Sequence, residues 1–254
     1  MILNKIKKKL LERKSGFFLY KNQNIKEALK SCKNYDDIES AGFRATENID
    51  FNDLSNKLLS YQVISCLLRF CNESNNKKLN VLDFGGGNGS YYFLSKSFLE
   101  KIEINWDIVE REFAFNLGNS MNFYKNHKIK FYKDIKDIKN IPDVIIVSGS
   151  LQYLDEPEKK MKELSSLGAK YIILDRTQFL KKSGISKILT IQRWNSSGKI
   201  LETACWILSK KDIYDNINGY EMINEFYKGR CKRAGRIGSA YWGSIWKLSE
   251  NKNK

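Results

Sequence analysis

The chain has 254 residues, 42% of them hydrophobic, which suffices for one large domain or two small ones and excludes a disordered polyelectrolyte. Its formal charge of +15 points to an anionic partner, but the excess is mostly Lys dispersed among Asn and Ile, a bias that a low-GC genome imposes, so charge alone does not argue for nucleic acid. A single His, His127, excludes sites built on two imidazoles, and five Cys (Cys32, Cys66, Cys71, Cys205, Cys231) without a Cys-x-x-Cys pair argue against a zinc ribbon and a disulfide framework; no metal is expected.

In chain order, residues 2–14 place Ile2, Leu3, Ile6 and Leu10 on one helical face with Lys elsewhere. That pattern suits a helix docked on a core, or peripheral contact with a membrane surface. A second helix is predicted around Ile25–Cys32, and a longer apolar one between Asn52-Asp53 and the polar breaker that starts at Asn72. Residues 1–76 thus read as a helical extension preceding a domain at 77–250. No apolar run approaches the roughly 20 residues that span a bilayer, and a cytoplasmic location is expected.

From Leu79 the pattern changes to short apolar runs separated by helical or loop segments, as in a parallel sheet with crossover helices. Predicted strands are Asn80–Phe84, Ile104–Val109, Ile129–Tyr132, Val144–Val147 and Tyr171–Leu174, with helices at Ser90–Glu100, Arg111–Phe123 and Glu156–Leu167. Ile188–Trp194, the turn-like Asn195-Ser-Ser-Gly198 and Lys199–Trp206 predict an inserted β-hairpin at about 187–206. After a helix from about Ser209, Tyr220–Tyr227 and Ala240–Leu248 read as a last antiparallel pair. The fold class is α/β: a Rossmann-like, mostly parallel sheet with an antiparallel last strand.

The strongest local signal is Val81-Leu-Asp-Phe-Gly-Gly-Gly-Asn-Gly89, an apolar strand running into a glycine loop before a helix. Glycines let the backbone turn sharply and let a ligand approach it closely. Asp83, two residues before the first glycine, would repel a pyrophosphate but can take up the ammonium of a methionyl group. Ribose-binding acids end the second strand roughly 20 residues beyond such glycines. Glu110 ends Ile108-Val109-Glu110 and meets that requirement.

On this loop, on Val147-Ser-Gly-Ser-Leu-Gln-Tyr-Leu154 and on Leu174-Asp-Arg-Thr-Gln-Phe179, the sequence resembles class I S-adenosylmethionine-dependent methyltransferases. More narrowly it resembles a family of predicted methyltransferases found with surface-polysaccharide biosynthesis genes, a likeness that extends to Gly16-Phe-Phe-Leu-Tyr20 and Ile25-Lys-Glu-Ala28. Gln178 stands where that family often has Pro. The resemblance implies S-adenosylmethionine as cofactor, held by Asp83, Gly85, Gly87, Asn88 and Gly89 at its methionyl part and by Glu110 at the ribose. Asp134 and Ile135 would meet the adenine, and Ser148 and Gly149 would lie under the sulfonium.

Ligands of open α/β sheets bind outside the carboxyl ends of the strands, so acceptor-side candidates are Gln152, Tyr153, Asp175 and Arg176, with Gln192, Arg193 and Glu202 of the hairpin as a lid. His127 precedes the third strand and falls at the opposite end. The basic loop Lys228-Gly-Arg-Cys-Lys-Arg-Ala-Gly-Arg236 could dock a phosphorylated group. The reading is a methyltransferase acting on an oxygen of a sugar or of a phosphate-type substituent in bacterial surface-glycan biosynthesis. Its acceptor would be a small-molecule or glycan-linked partner, with nucleic acid the less favoured one. The alternatives are an RNA methyltransferase and a non-catalytic scaffold that keeps the cofactor fold.

Overall fold

The structure, a computed structural model, describes residues 15–32, 60–74, 77–182, 184–196, 199–230 and 238–250. The helix expected at 2–14 and most of the basic loop lie outside them, as do residues 197–198 of the hairpin turn and the start of the helix expected after Asn52-Asp53. The elements are β1 (Gly16–Leu19), α1 (Ile25–Ser31), α2 (Tyr61–Ser74), β2 (Lys78–Phe84), α3 (Ser90–Lys96), β3 (Glu103–Val109), α4 (Glu112–Ser120), α5 (Asn122–Lys125), β4 (Ile129–Tyr132), β5 (Val144–Ser148), α6 (Pro157–Ser165), β6 (Tyr171–Leu180), β7 (Lys187–Ser196), β8 (Lys199–Leu208), α7 (Lys210–Tyr214), β9 (Tyr220–Arg230) and β10 (Ser239–Leu248). Among the described residues no helix is long and apolar enough to cross a membrane.

Every residue of β5 is buried, as expected of a central parallel strand with both faces covered. The parallel strands run β4-β3-β2-β5-β6, and β10 pairs antiparallel with both β6 and β9. This order, with a reversed strand wedged beside β6, is the Rossmann-like class I methyltransferase sheet. Chain reversal between β2 and β5, which leave the same edge toward opposite sides, opens a crevice at their carboxyl ends.

Strand β6 is longer than its apolar run at Tyr171–Leu174. Its first half pairs with β5, while Phe179 near its end pairs with Leu208 of β8, so the β7–β8 hairpin extends the sheet beyond the end of β5. The hairpin therefore stands as a wall beside the crevice. Tyr153 donates to Gln192 Oε1 at 2.9 Å and the Trp206 indole donates to the Leu154 carbonyl at 2.9 Å, tying the loop after β5 to that wall.

The segment expected to be helical throughout contains a strand. Gly16–Leu19 pairs antiparallel with Thr190–Arg193 of β7. Four residues without polar alternation carry no strand signal of their own, and the hairpin edge imposes the conformation. Behind β1, Ile25 and Ala28 of α1 are buried in the same apolar core as Leu174 and Trp206, and α2 buries Val63, Leu67 and Phe70 against the opposite face. Gln178 is accommodated in β6 because its amide donates to Ser239 Oγ of β10 at 3.2 Å.

Candidate functional site

Three contiguous cavities of about 490, 270 and 420 Å³ form one cleft along the carboxyl ends of β3, β2, β5 and β6. The largest is bounded by Glu110, Asp134, Ile135, Gly149 and Tyr153. It meets the smallest at Gly85 and Gly87, where Asp83, Asn88, Tyr91, Ser148 and Arg176 take over. The third continues from Ser148 and Arg176 to Gln152, Tyr153, Lys228 and Tyr241.

The glycine loop is shaped by its own contacts. Gly85, Gly87 and Gly89 all have positive φ. A Cβ on Gly86 would lie 2.6 Å from the Asp83 carboxyl carbon and one on Gly85 would lie 2.4 Å from Ser150 Cβ, whereas Gly87 faces open space. The Gly87 N–H donates to Glu110 Oε1 at 2.8 Å and the Arg111 N–H donates to Oε2 at 3.1 Å, so Glu110 is held at the loop by backbone donors. Asp83 is buried at 1% exposure; Trp106 Nε1 donates to its Oδ2 at 3.1 Å, while Oδ1 has no partner among the described residues. Burial pushes this carboxyl up to about 7, against the pull of the Trp106 hydrogen bond.

Two of the expected residues stand apart from the cleft lining, and for Asp175 the expectation of acceptor contact needs correction. Gly89 caps the start of α3, and the place of its Cβ faces Ile108 and Ile129 rather than the cleft. Asp175, expected on the acceptor side, is fully buried and lines none of the three cavities. It accepts from the Tyr91 hydroxyl at 2.6 Å, from Ser148 at 3.1 Å and from Ser60 at 3.4 Å, with Lys228 Nζ at 3.7 Å. Asp175 thus lies beneath the cleft, where its carboxylate holds the Tyr91 and Ser148 hydroxyls.

The next residue is Arg176, the one non-glycine residue with positive φ among those described. Between β6 and β10 the pairing shifts so that Asp175 and Arg176 oppose Gly243 alone, a β-bulge. The left-handed backbone costs on the order of 1–3 kcal/mol and aims the Arg176 side chain into the cleft. There its Nε donates to Ser148 Oγ at 3.0 Å. Gln152, 3% exposed, donates to the Arg176 carbonyl at 3.5 Å.

The remaining candidates divide. Asn88, Ser148, Gly149 and Tyr153 line the cleft as expected. Asp134 lines it while accepting from the Lys136 N–H at 3.0 Å, and buried Ile135 supplies an apolar wall. On the hairpin, Arg193 pairs with Glu202 and stacks on Phe18, away from the cleft lining. His127 sits among Tyr92, Phe93 and Phe123 and lines none of the three cavities. Tyr91, Trp106 and Ser60 were not singled out from sequence; the period-2 run Ile104-Trp106-Ile108 marks Trp106 as buried, and only strand register pairs it with Asp83.

In sequence the chain matches no family model and no curated protein. In fold it is similar to a S-adenosylmethionine-dependent methyltransferase from Clostridium acetobutylicum (14% identity, 78% of this chain and 96% of that one, TM-score 0.47). It is also similar to magnesium protoporphyrin IX methyltransferase from Synechocystis with bound SAM (16% identity, 74% and 79%, TM-score 0.47). A third likeness is to 1,6-didemethyltoxoflavin-N1-methyltransferase from Burkholderia thailandensis (11% identity, 85% and 89%, TM-score 0.43). The strand order of the sheet, and not these likenesses, carries the fold assignment.

Proposed function

We propose that this chain is an S-adenosylmethionine-dependent methyltransferase acting on an oxygen of a sugar or of a phosphate-type substituent in bacterial surface-glycan biosynthesis. The observation that carries the reading is the continuous cleft from Glu110 past Asp83 to Arg176, with a buried carboxylate oxygen of Asp83 unpartnered among the described residues. The residues fit the cofactor. Asp83 would hold the ammonium, Glu110 the ribose hydroxyls, Ile135 and Asp134 the adenine, and the open side of Gly87 leaves room for a close approach. The glycan assignment rests on the sequence resemblance.

Bound S-adenosylmethionine supplies an electrophilic methyl carbon on a sulfonium. The chain contributes alignment, which can recover roughly 7–11 kcal/mol of a barrier. Ser148, held by Asp175 and Tyr91, fixes the floor, and Arg176, Gln152 and Tyr153 border the acceptor. Calorimetry with S-adenosylmethionine and S-adenosylhomocysteine tests the cofactor; a folded protein that binds neither would overturn the reading. Mass spectrometry of extracted surface glycan with and without the protein tests the acceptor.

The burial of Asp175 favours a second reading, a scaffold that binds cofactor without turnover, because no His and no exposed carboxylate lines the acceptor cavity among the described residues. Cofactor binding with no methyl transfer to any acceptor would decide for it. An RNA acceptor would instead show as affinity falling steeply with salt.

A further inference from the structure

Of the three register shifts along β10, one against β6 and two against β9, two turn a cation toward the same cavity. On its β6 side the extra residue belongs to Asp175-Arg176; on its β9 side Lys228 is the extra residue, since Tyr241 pairs with Gly229 and Trp242 with Tyr227. Bulges re-aim side chains next to functional sites. Arg176 and Lys228 share the 420 Å³ cavity with Ser148, Gln152, Tyr153 and Tyr241, a lining without a carboxylate.

Among the described residues the acid paired with both cations is Asp175 beneath the floor, 3.6 Å from Arg176 Nε and 3.7 Å from Lys228 Nζ, while Asp83 shares only the neighbouring cavity with Arg176. Asp83 faces the neighbouring cavity, so the lining of this one presents two cations above a single buried carboxylate. Lys228 is further fixed by Ser60 Oγ at 3.1 Å, and the Arg176 side chain remains 45% exposed at the cavity edge. Two cations held from two strands around a polar cavity match the oxygens of an oxyanion, through charge-assisted hydrogen bonds.

We propose that Arg176 and Lys228 bind an oxyanion group of the acceptor, a phosphate or a carboxylate, in this cavity. The proposal rests on the methyl-transfer reading for the word acceptor and on the two bulges for the site. It places anion recognition inside the cleft, at the first residue of the basic segment, and not on the loop beyond it.

The test titrates the full chain with inorganic phosphate and, separately, with acetate, each with and without saturating S-adenosylhomocysteine. Saturable binding of at least one anion is expected, and the stronger of the two identifies the source. Arg176→Gln and Lys228→Gln should each weaken it about tenfold or more, the worth of a charge-assisted contact, while Lys228→Arg keeps it within about threefold. Circular dichroism checks that each variant is folded, and the Lys228→Arg arm separates loss of charge from loss of fold. No saturable binding by the folded wild type, or binding that both Gln variants leave unchanged, overturns the proposal. Anion binding by a protein that does not bind S-adenosylhomocysteine upholds the anion site and removes the methyl-transfer reading; the reverse pattern removes the anion site alone.

Discussion

Trp106 Nε1 donates a hydrogen bond to Asp83 Oδ2 across the β2–β3 pair, a side-chain donor to a carboxylate that burial otherwise disfavours. Asp83 and Trp106 stand two residues out of register, Val81 being the strand partner of Trp106, so the indole reaches along the sheet toward the cleft. The pair sets the charge at the end of the cleft proposed for the methionyl group.

If Asp83 holds the ammonium as proposed, its ionisation controls cofactor affinity near neutrality. With its carboxyl at about 7, the folded state holds a proton that the unfolded state releases near 4, so this group lowers stability as pH rises from about 4 to 7. A cationic ligand favours the ionised form, and affinity for S-adenosylmethionine should rise between pH 6 and 8 as Asp83 ionises. Calorimetry across that range checks it; a flat profile would show that Asp83 is ionised throughout or makes no contact.

Replacing the donor should be costly. Trp106→Phe keeps an aromatic ring in the core but leaves Oδ2 unpaired, and a loss of about 1–3 kcal/mol in denaturant unfolding is expected. Cofactor affinity should fall with it. Unchanged stability and affinity would mean that the hydrogen bond contributes nothing.

The bulge can be tested from both strands. Arg176→Gly releases the left-handed backbone from its steric cost, so stability should stay within about 1 kcal/mol of wild type while methyl transfer falls. Gly243→Ala puts a Cβ 2.2 Å from the Phe226 ring and 2.8 Å from the Leu174 carbonyl, and should cost about 1–3 kcal/mol through overpacking. If Gly243→Ala leaves the melting temperature unchanged, the strands are not paired as described.

In the glycine loop, Glu110→Ala removes the acceptor for the Gly87 N–H as well as the expected ribose contact, and should weaken cofactor binding. A Cβ on Gly87 meets no protein atom within 4 Å beyond its chain neighbours, so the effect of Gly87→Val should come from a strained backbone and from filling the cleft. Binding of S-adenosylhomocysteine by a folded Gly87→Val protein, at wild-type affinity, would place the cofactor elsewhere.

His127→Ala should leave turnover unchanged, since the imidazole lies in an aromatic cage away from the cleft lining. Burial lowers its pKa, with Lys96 adding to the effect, so the folded protein holds the neutral form and loses stability as pH falls below about 6.5. The variant should lack that part of the acid sensitivity; a drop in kcat in the folded variant would refute this placement.

Contiguous chemistry was legible in the sequence. The strand, the glycine loop and Glu110 lie within one stretch of chain, where apolar runs, glycines and a strand-end acid each have a local physical meaning. The parallel core could be read for the same reason: strands buried on both faces are continuous apolar runs. Sequence alone does not separate a glycine at a helix start, as Gly89 is, from one that faces a cleft.

What only the tertiary structure decided depends on pairings distant along the chain. Whether Asp175 or Arg176 meets the cleft turns on the bulge against Gly243, and a one-residue change of register exchanges the two faces of a strand. The strand at Gly16–Leu19 exists because β7 offers it an edge, and the cage of Asp175 draws on Tyr91, Ser148 and Lys228 from three separate elements and on Ser60 just before α2. Local sequence carries propensity and order; side-chain direction at a bulge, and burial, come only from the neighbours that the fold brings alongside.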